Sequence, residues 1–293
     1  MPNILIEFIM RSHSALSILC LCLLLLLQTG CGNKTSQTPA PKQADAGLDD
    51  DGYPAPENWV HASEQQSKRA ARSFAQLKKR SIPAYDGPLF VADDDAANLQ
   101  TPQDVARRAL VLWAVELRAE GTPQHEAKSL IEEMNLWDFV SEKEKAFLDN
   151  PSPEESESAR LVWRLESIWV LLWALGHVDD LNWPSEMCDV PQLVQILRPL
   201  EADPDFITNA KLRPRKEILD QQDLIMRIHW AIRDAYLNHE AKVPEDLDWS
   251  GSSQLLPIQQ CAAVGVVEQR HYVLNWIVRY LDPKGWDDVD TPT

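Results

Sequence analysis

RLVWRLESIWVLLWALGHVDDL, residues Arg160–Leu181, decides how the rest of the chain is read. Trp163, Leu165, Ile168, Trp169, Leu172 and Trp173 recur at helical spacing, and apolar residues fill most of the positions between them. A helix that is apolar on most sides has no face to offer water, so it belongs at the centre of a helical domain. Ser152-Pro153-Glu154-Glu155 opens the segment and Gly176 closes it. Its indoles would also suit a ligand-stacking box, but 11 Trp spread along the chain speak for large rings used as core packing.

Outward from this segment the period stays helical. Ala62–Arg80 reads as a polar, basic helix stopped near Ile82-Pro83. Thr101-Pro102-Gln103-Asp104 reads as an N-cap with Pro at the first helical position, opening a helix to about Glu120 that Gly121 ends. Its Val105, Ala109, Leu112 and Val115 share one face. Helices are expected over Pro123–Met134 and over Ser141–Leu148, where Ser141-Glu142-Lys143-Glu144 has the capping-box pattern. Further helices are expected over Pro191–Leu200, Pro214–Asn238 and Val264–Leu281, with a flexible loop at Trp249-Ser250-Gly251-Ser252-Ser253. Only Leu89–Ala92 looks strand-like, too little for a sheet. The expected fold is all-α, a single multi-helix domain over residues 59–293 with a tryptophan-rich central helix and no substantial sheet.

The amino terminus differs in kind. Ala15–Leu27 is an almost unbroken apolar run ending in Gln28-Thr29-Gly30-Cys31-Gly32. It is too short to span a membrane, which takes ~20 apolar residues, and suits the apolar region of a signal peptide over residues 1–30. Glu7 ahead of the run is out of character, and a start at Met10 would leave Arg11 as the leading charge. Thr29, Gly30 and Cys31 resemble a lipobox, in which the cysteine is acylated and becomes the mature terminus; Gln28 departs from that pattern, and processing by the general signal peptidase is the alternative. Residues 31–58 are rich in Pro, Gln, Ala, Asp, Ser and Thr and read as a tether. The expected location is therefore the cell envelope, outside the cytoplasm, with a membrane anchor at Cys31.

A formal charge of −17 from 28 Lys+Arg and 45 Asp+Glu argues against nucleic acid and against a surface lying on anionic lipid. Of 5 cysteines, Cys188 and Cys261 fall in the domain. Outside the cytoplasm they either pair or stay free, and the sequence leaves both open.

Several stretches resemble a bacterial family known only as domain of unknown function 4272. They are Arg160–Leu181 above, EILDQQDLIMRIHWAIRDAYLN from Glu217 to Asn238, VVEQRHYVLNWIVRYLD with the terminal WDDVDT, and the upstream VARRALVLWAVELRAEG with LWDFVSEKEKAFL. The resemblance covers Ser67–Thr293 and implies a shared helical fold and shared polar positions, but no reaction.

Chemistry has to be sought in the polar residues themselves. On the long helix Asp223, Arg227, Trp230 and Asp234 form one stripe, with His229 and Arg233 beside it. On the last helix Glu268, His271 or Tyr272, Asn275 and Arg279 form another. If the stripes face each other, acids, arginines, histidines and an amide converge. The plainer and weightier alternative is a helix-to-helix polar network that sets packing register. Glu268 and His271 have Glu-x-x-His spacing, but no second copy exists for a di-metal site. Asp287, Asp288 and Asp290 are too few for calcium and suit a tail or cap. Lys68, Arg69, Arg72, Lys78, Lys79 and Arg80 would suit contact with anionic lipid or an acidic partner, and the plainer reading is a solvated basic face. No nucleophile elbow, phosphate loop, dinucleotide fingerprint or zinc motif occurs, and no cofactor is implied. The expectation is a lipid-anchored binding or scaffold module for a protein partner. The alternative is an envelope hydrolase with Glu268 or Asp223 as base beside His271 or His229.

Overall fold

Ser63 starts the first helix with a capping box: its hydroxyl accepts the Gln66 N–H at 3.0 Å, and the Gln66 side chain accepts the Ser63 N–H at 3.0 Å. This helix, α1 (Glu64–Lys79), belongs to a computed structural model that describes residues 61–85, 87–238, 244–247 and 262–293. All of these residues lie in one compact unit, Asp49–Thr293. The signal segment, Cys31, the tether, Cys261 and the Trp249–Ser253 loop lie outside the described residues.

Local signals place the next elements. Thr101 caps α2 (Pro102–Ala119) with Pro102 at its first position. Gly121, at φ 103°, ends that helix, with Thr122 N–H donating back to Leu117 O at 2.9 Å. After α3 (Gln124–Glu133), Ser141 and Glu144 form the expected capping box of α4 (Glu142–Asp149). The apolar segment differs from its expected form. It is two helices, α5 (Glu155–Val162) and α6 (Arg164–Ala174), broken at Trp163. The Trp163 ring lies against Gly265, where a Cβ would stand 2.8 Å from it, so that glycine admits the indole at the break. Gly176, at φ 82°, closes the segment. Then come α7 (Val190–Glu201), the short α8 (Phe206–Asn209), α9 (Arg215–Asn238) and α10 (Ala262–Ile277). The last helix stops before the expected Leu281, because Arg279 and Leu281 adopt positive φ.

Among the described residues no strand occurs, and the Leu89–Ala92 stretch shows why. Its carbonyls are taken by side chains instead of a neighbouring strand: Leu89 O by Arg227, Val91 O by Gln66 and Ala92 O by Arg69. The helices pack in series, α1 on α9, α9 on α10, α10 on α6 and α6 on α2, and α3, α5 and α8 also pack on α2. Every residue from Leu165 to Ala174 is buried, as the sequence pattern requires of a central helix. None of the helices among the described residues is long and apolar enough to cross a membrane.

One charge sits inside that centre. Glu166 of α6 is 0 % exposed, and Arg270 of α10 meets it with Nε at 3.2 Å while donating to the Leu181 and Asn182 carbonyls at 2.7 and 3.0 Å. The other Glu166 oxygen accepts the Cys188 N–H. Arg270→Leu, which strands a buried carboxylate, is expected to lower stability by about 3–5 kcal/mol, and Glu166→Met added to it should restore most of the loss. Denaturant unfolding of both variants checks this; a double variant as weak as the single one would count against the pair.

Candidate functional site

The two polar stripes separate when the helices pack. Asp223 and Arg227 turn toward α1, not α10. There Asp223 accepts Arg227 Nε at 2.9 Å, Arg227 Nη2 at 3.1 Å and the Ser73 hydroxyl at 2.6 Å, while the guanidinium lies 4.6 Å over the Phe74 ring. Both are fully buried, so the pair anchors α1 and the Tyr85 and Leu89 carbonyls to α9. Trp230 stacks on Tyr85 at 5.4 Å, and Asp234 accepts the Asn238 amide at 2.8 Å on the same helix. Glu268 and Arg233 are exposed.

What meets across α9 and α10 is a shorter chain of neutral groups. His229 Nδ1 and His271 Nδ1 lie 2.8 Å apart, with their rings at 87°. His271 Nε2 faces Asn275 Nδ2 at 3.1 Å, Asn275 Oδ1 accepts Gln222 Nε2 at 2.9 Å, and Asn275 Nδ2 donates to Asp290 O at 2.8 Å. Gln222 was not singled out from the sequence, although it stands two turns before His229 on the same helix. Burial, and secondarily Arg233, lowers His229 to about 4; burial, and secondarily His229, lowers His271 to about 3. Both imidazoles are therefore neutral at ordinary pH.

Glu268, exposed, is not brought to His271 as a second metal ligand. Among the described residues no group of three or more His, Cys, Asp or Glu is arranged to hold a metal. Cys188 is a free, buried cysteine rather than a bridged one, and its thiol is pushed up by burial and by Glu166. The terminal acids divide: Asp287 accepts the Lys143 N–H at 3.0 Å at the start of α4, and Asp290 accepts Thr291 N–H. The basic first helix is only in part the solvated face expected: Lys68, Lys78 and Lys79 are exposed, but its arginines are engaged. Arg69 is 2 % exposed and binds Asp94 and Asp220, Arg72 binds Asp220 at 2.5 Å, Lys68 pairs with Glu64, and Arg80 lies 3.9 Å over Trp183. The acids at 94 and 220 are far away in sequence, which hid these pairs.

An open cavity lies elsewhere, a cleft of about 620 Å³ between the start of α2, residues 138–145 and the stretch 284–288. Trp276 and Trp286, 5.4 Å apart and edge to face, form its floor. Arg107 on its wall pairs with Asp104 at 2.8 Å and lies 4.6 Å over Phe139; Arg108 pairs with Glu144 at 2.7 Å and lies 4.9 Å over Trp286. Lys284, Asp138 and Asp288 have no ionic partner among the described residues, and Phe139 is 38 % exposed. None of Asp223, Arg227, His229, Asp234, Glu268, His271 or Asn275 lines it. A second hollow, about 240 Å³, has Leu224, Ile225, Ile228 and Leu274 in its floor and also excludes those seven.

The histidine pair makes stability depend on pH. Each folded-state pKa lies below the unfolded 6.5, so the unfolded chain binds more protons as pH falls, and stability is lost from about 6.5 downward toward 4. For His229 this is on the order of 3 kcal/mol. Glu116, raised by burial and then by Glu120, works in the opposite direction, so the histidine share has to be read as a difference. Between pH 7 and 4.5, denaturant unfolding should show a steeper loss in the native chain than in His229→Gln; parallel curves would sink this assignment.

A family model described as Domain of unknown function (DUF4272) matches residues 69–289, which span most of the chain and include every helix above apart from the first turn of α1. Neither the search of curated proteins nor that of solved structures found a match. The chain belongs to the family described as domain of unknown function DUF4272.

Proposed function

We propose that this protein is exported, anchored to a membrane of the cell envelope through acylated Cys31, and works there as a binding module whose protein partner seats in the 620 Å³ cleft. One observation carries the choice of binding over catalysis. An enzyme built on the polar stripes would hold them at the floor of an open cavity, whereas Asp223 and Arg227 are buried against α1, His229, His271 and Asn275 are bonded between α9 and α10, and the cleft is lined by other residues.

The cleft has the make-up of a recognition surface. A half-exposed aromatic ring, Phe139, stands beside charges of both signs that have no ionic partner among the described residues, Asp138, Asp288 and Lys284, over a floor of indoles. Its lining contains neither His nor Cys. The net charge of −17 supports a protein partner over a polyanion.

The anchor is tested by Cys31→Ser in the full chain, which should lose acyl label and leave the membrane fraction. A variant that stays with the membrane removes the anchor from this reading. The cleft is tested in cells with a photoreactive phenylalanine at position 139, which should form one discrete protein adduct that Asp138→Lys or Lys284→Glu abolishes. The same probe at Glu132, exposed on α3, is the control. Equal adducts from both positions would show that position 139 marks no particular surface.

A further inference from the structure

The Asn275 amide has its orientation set from outside. Its Nδ2 donates to the Asp290 carbonyl and its Oδ1 accepts from Gln222, so the second Nδ2 hydrogen points at His271 Nε2. That nitrogen must then be bare, and His271 carries its proton on Nδ1, which donates to His229 Nδ1. His229 in turn carries its proton on Nε2. From Gln222 to His229 every bond runs in one direction.

One added proton breaks that order wherever it enters. Placed on His271 Nε2, it confronts the Asn275 N–H directly. Placed on His229 Nδ1, it confronts the His271 Nδ1 hydrogen, and His271 escapes only by moving its own proton to Nε2, again against Asn275. Turning the Asn275 amide over relieves the conflict, because Oδ1 then accepts from His271. The turned Nδ2 meets Gln222, whose Oε1 is buried without a partner and can accept it once that amide turns as well. The bond that has no counterpart in the reversed chain is the one to Asp290, whose carbonyl would now face Asn275 Oδ1. We propose that Gln222, Asn275, His271 and His229 form a polarity-reversing relay, an acid-operated latch that holds the C-terminal stretch when neutral and releases Asp290 when it takes up one proton.

The released stretch matters because residues 284–288 wall the cleft. Few charges bear on the pair. Arg233, exposed, lies one turn along α9, and Glu268, exposed, precedes His271 on α10. Asp223 and Arg227 are engaged with α1, Glu166 and Arg270 with each other on the α6 side, and the Asp290 carboxylate with Thr291. Burial of both rings sets the acid range, with His229 at about 4 titrating before His271 at about 3. The latch does not depend on what the cleft binds.

The test is hydrogen exchange of the full chain in detergent from pH 6.5 to 3.5, corrected for intrinsic exchange rates. The expected result is a loss of protection of tenfold or more in residues 284–291 while α2 and α6 stay protected. His229→Gln, which removes the more readily protonated ring at a partly exposed position, should move that transition to lower pH. Imidazole ¹⁵N resonances at pH 7 should show the proton on Nδ1 of His271 and on Nε2 of His229. Loss of protection that spreads to α2 and α6 at the same pH, no loss at all, an unmoved transition in His229→Gln, or the opposite tautomers would each overturn the proposal.

Discussion

A carboxylate with no exposed surface, that of Glu166, sits in the most apolar helix of the protein. An isolated buried charge of this kind is prohibitively unfavourable, and the surrounding structure is arranged to answer it. Arg270 brings α10 against α6, and the same guanidinium reaches the Leu181 and Asn182 carbonyls, so one ion pair links two helices and the turn that follows α6. Cys188 is drawn in through its N–H to the second oxygen. Apolar packing alone would allow these helices to slide or rotate; the pair admits one register.

The same device recurs wherever the helical stack meets irregular backbone. Arg213 donates to the carbonyls of Trp173, Val178 and Asp179, and Arg118 to those of Thr122, Asn150 and Pro151. Arg108 joins Glu144 to Phe139 O, and Arg227 joins Asp223 to Leu89 O. Loops without a sheet beside them leave carbonyls with no ladder to enter. A guanidinium has five donors in a rigid fork, enough to serve a carboxylate and several carbonyls together. In this all-α protein arginine takes the place that strand pairing holds elsewhere.

Packing also separates the polar residues by task. The buried acids and arginines hold elements together, the neutral His–Asn–Gln chain lies between α9 and α10, and Asp138, Lys284 and Asp288, without an ionic partner among the described residues, line the cleft. The C-terminal stretch touches both of the last two regions: Asp290 joins the Asn275 amide, Tyr272 donates to Trp286 O, and Asp287 sits at the start of α4. The end of the chain is thus a wall of the cleft and a ligand of the polar chain at once.

Helix positions were legible in the sequence because their causes are local. Ser63, Thr101 and Ser141 satisfy the first free N–H groups of their own helices, Gly121 and Gly176 supply the left-handed turns that end α2 and the central segment, and the run around Trp169 is apolar on too many sides to lie anywhere but the centre. The break at Trp163 was not legible, since it depends on Gly265 more than a hundred residues later giving room to a ring. The polar stripes were half legible. Spacing along α9 and α10 showed which residues share a face, but not which neighbour that face meets, and α9 packs on both α1 and α10. Asp223 and Arg227 went to the first, and His229 to the second. Sequence thus determined which elements form and where they begin and end, because capping and periodicity act within a turn or two. Only the tertiary structure decided which charges pair and which remain free, because a counter-ion is chosen by proximity in space.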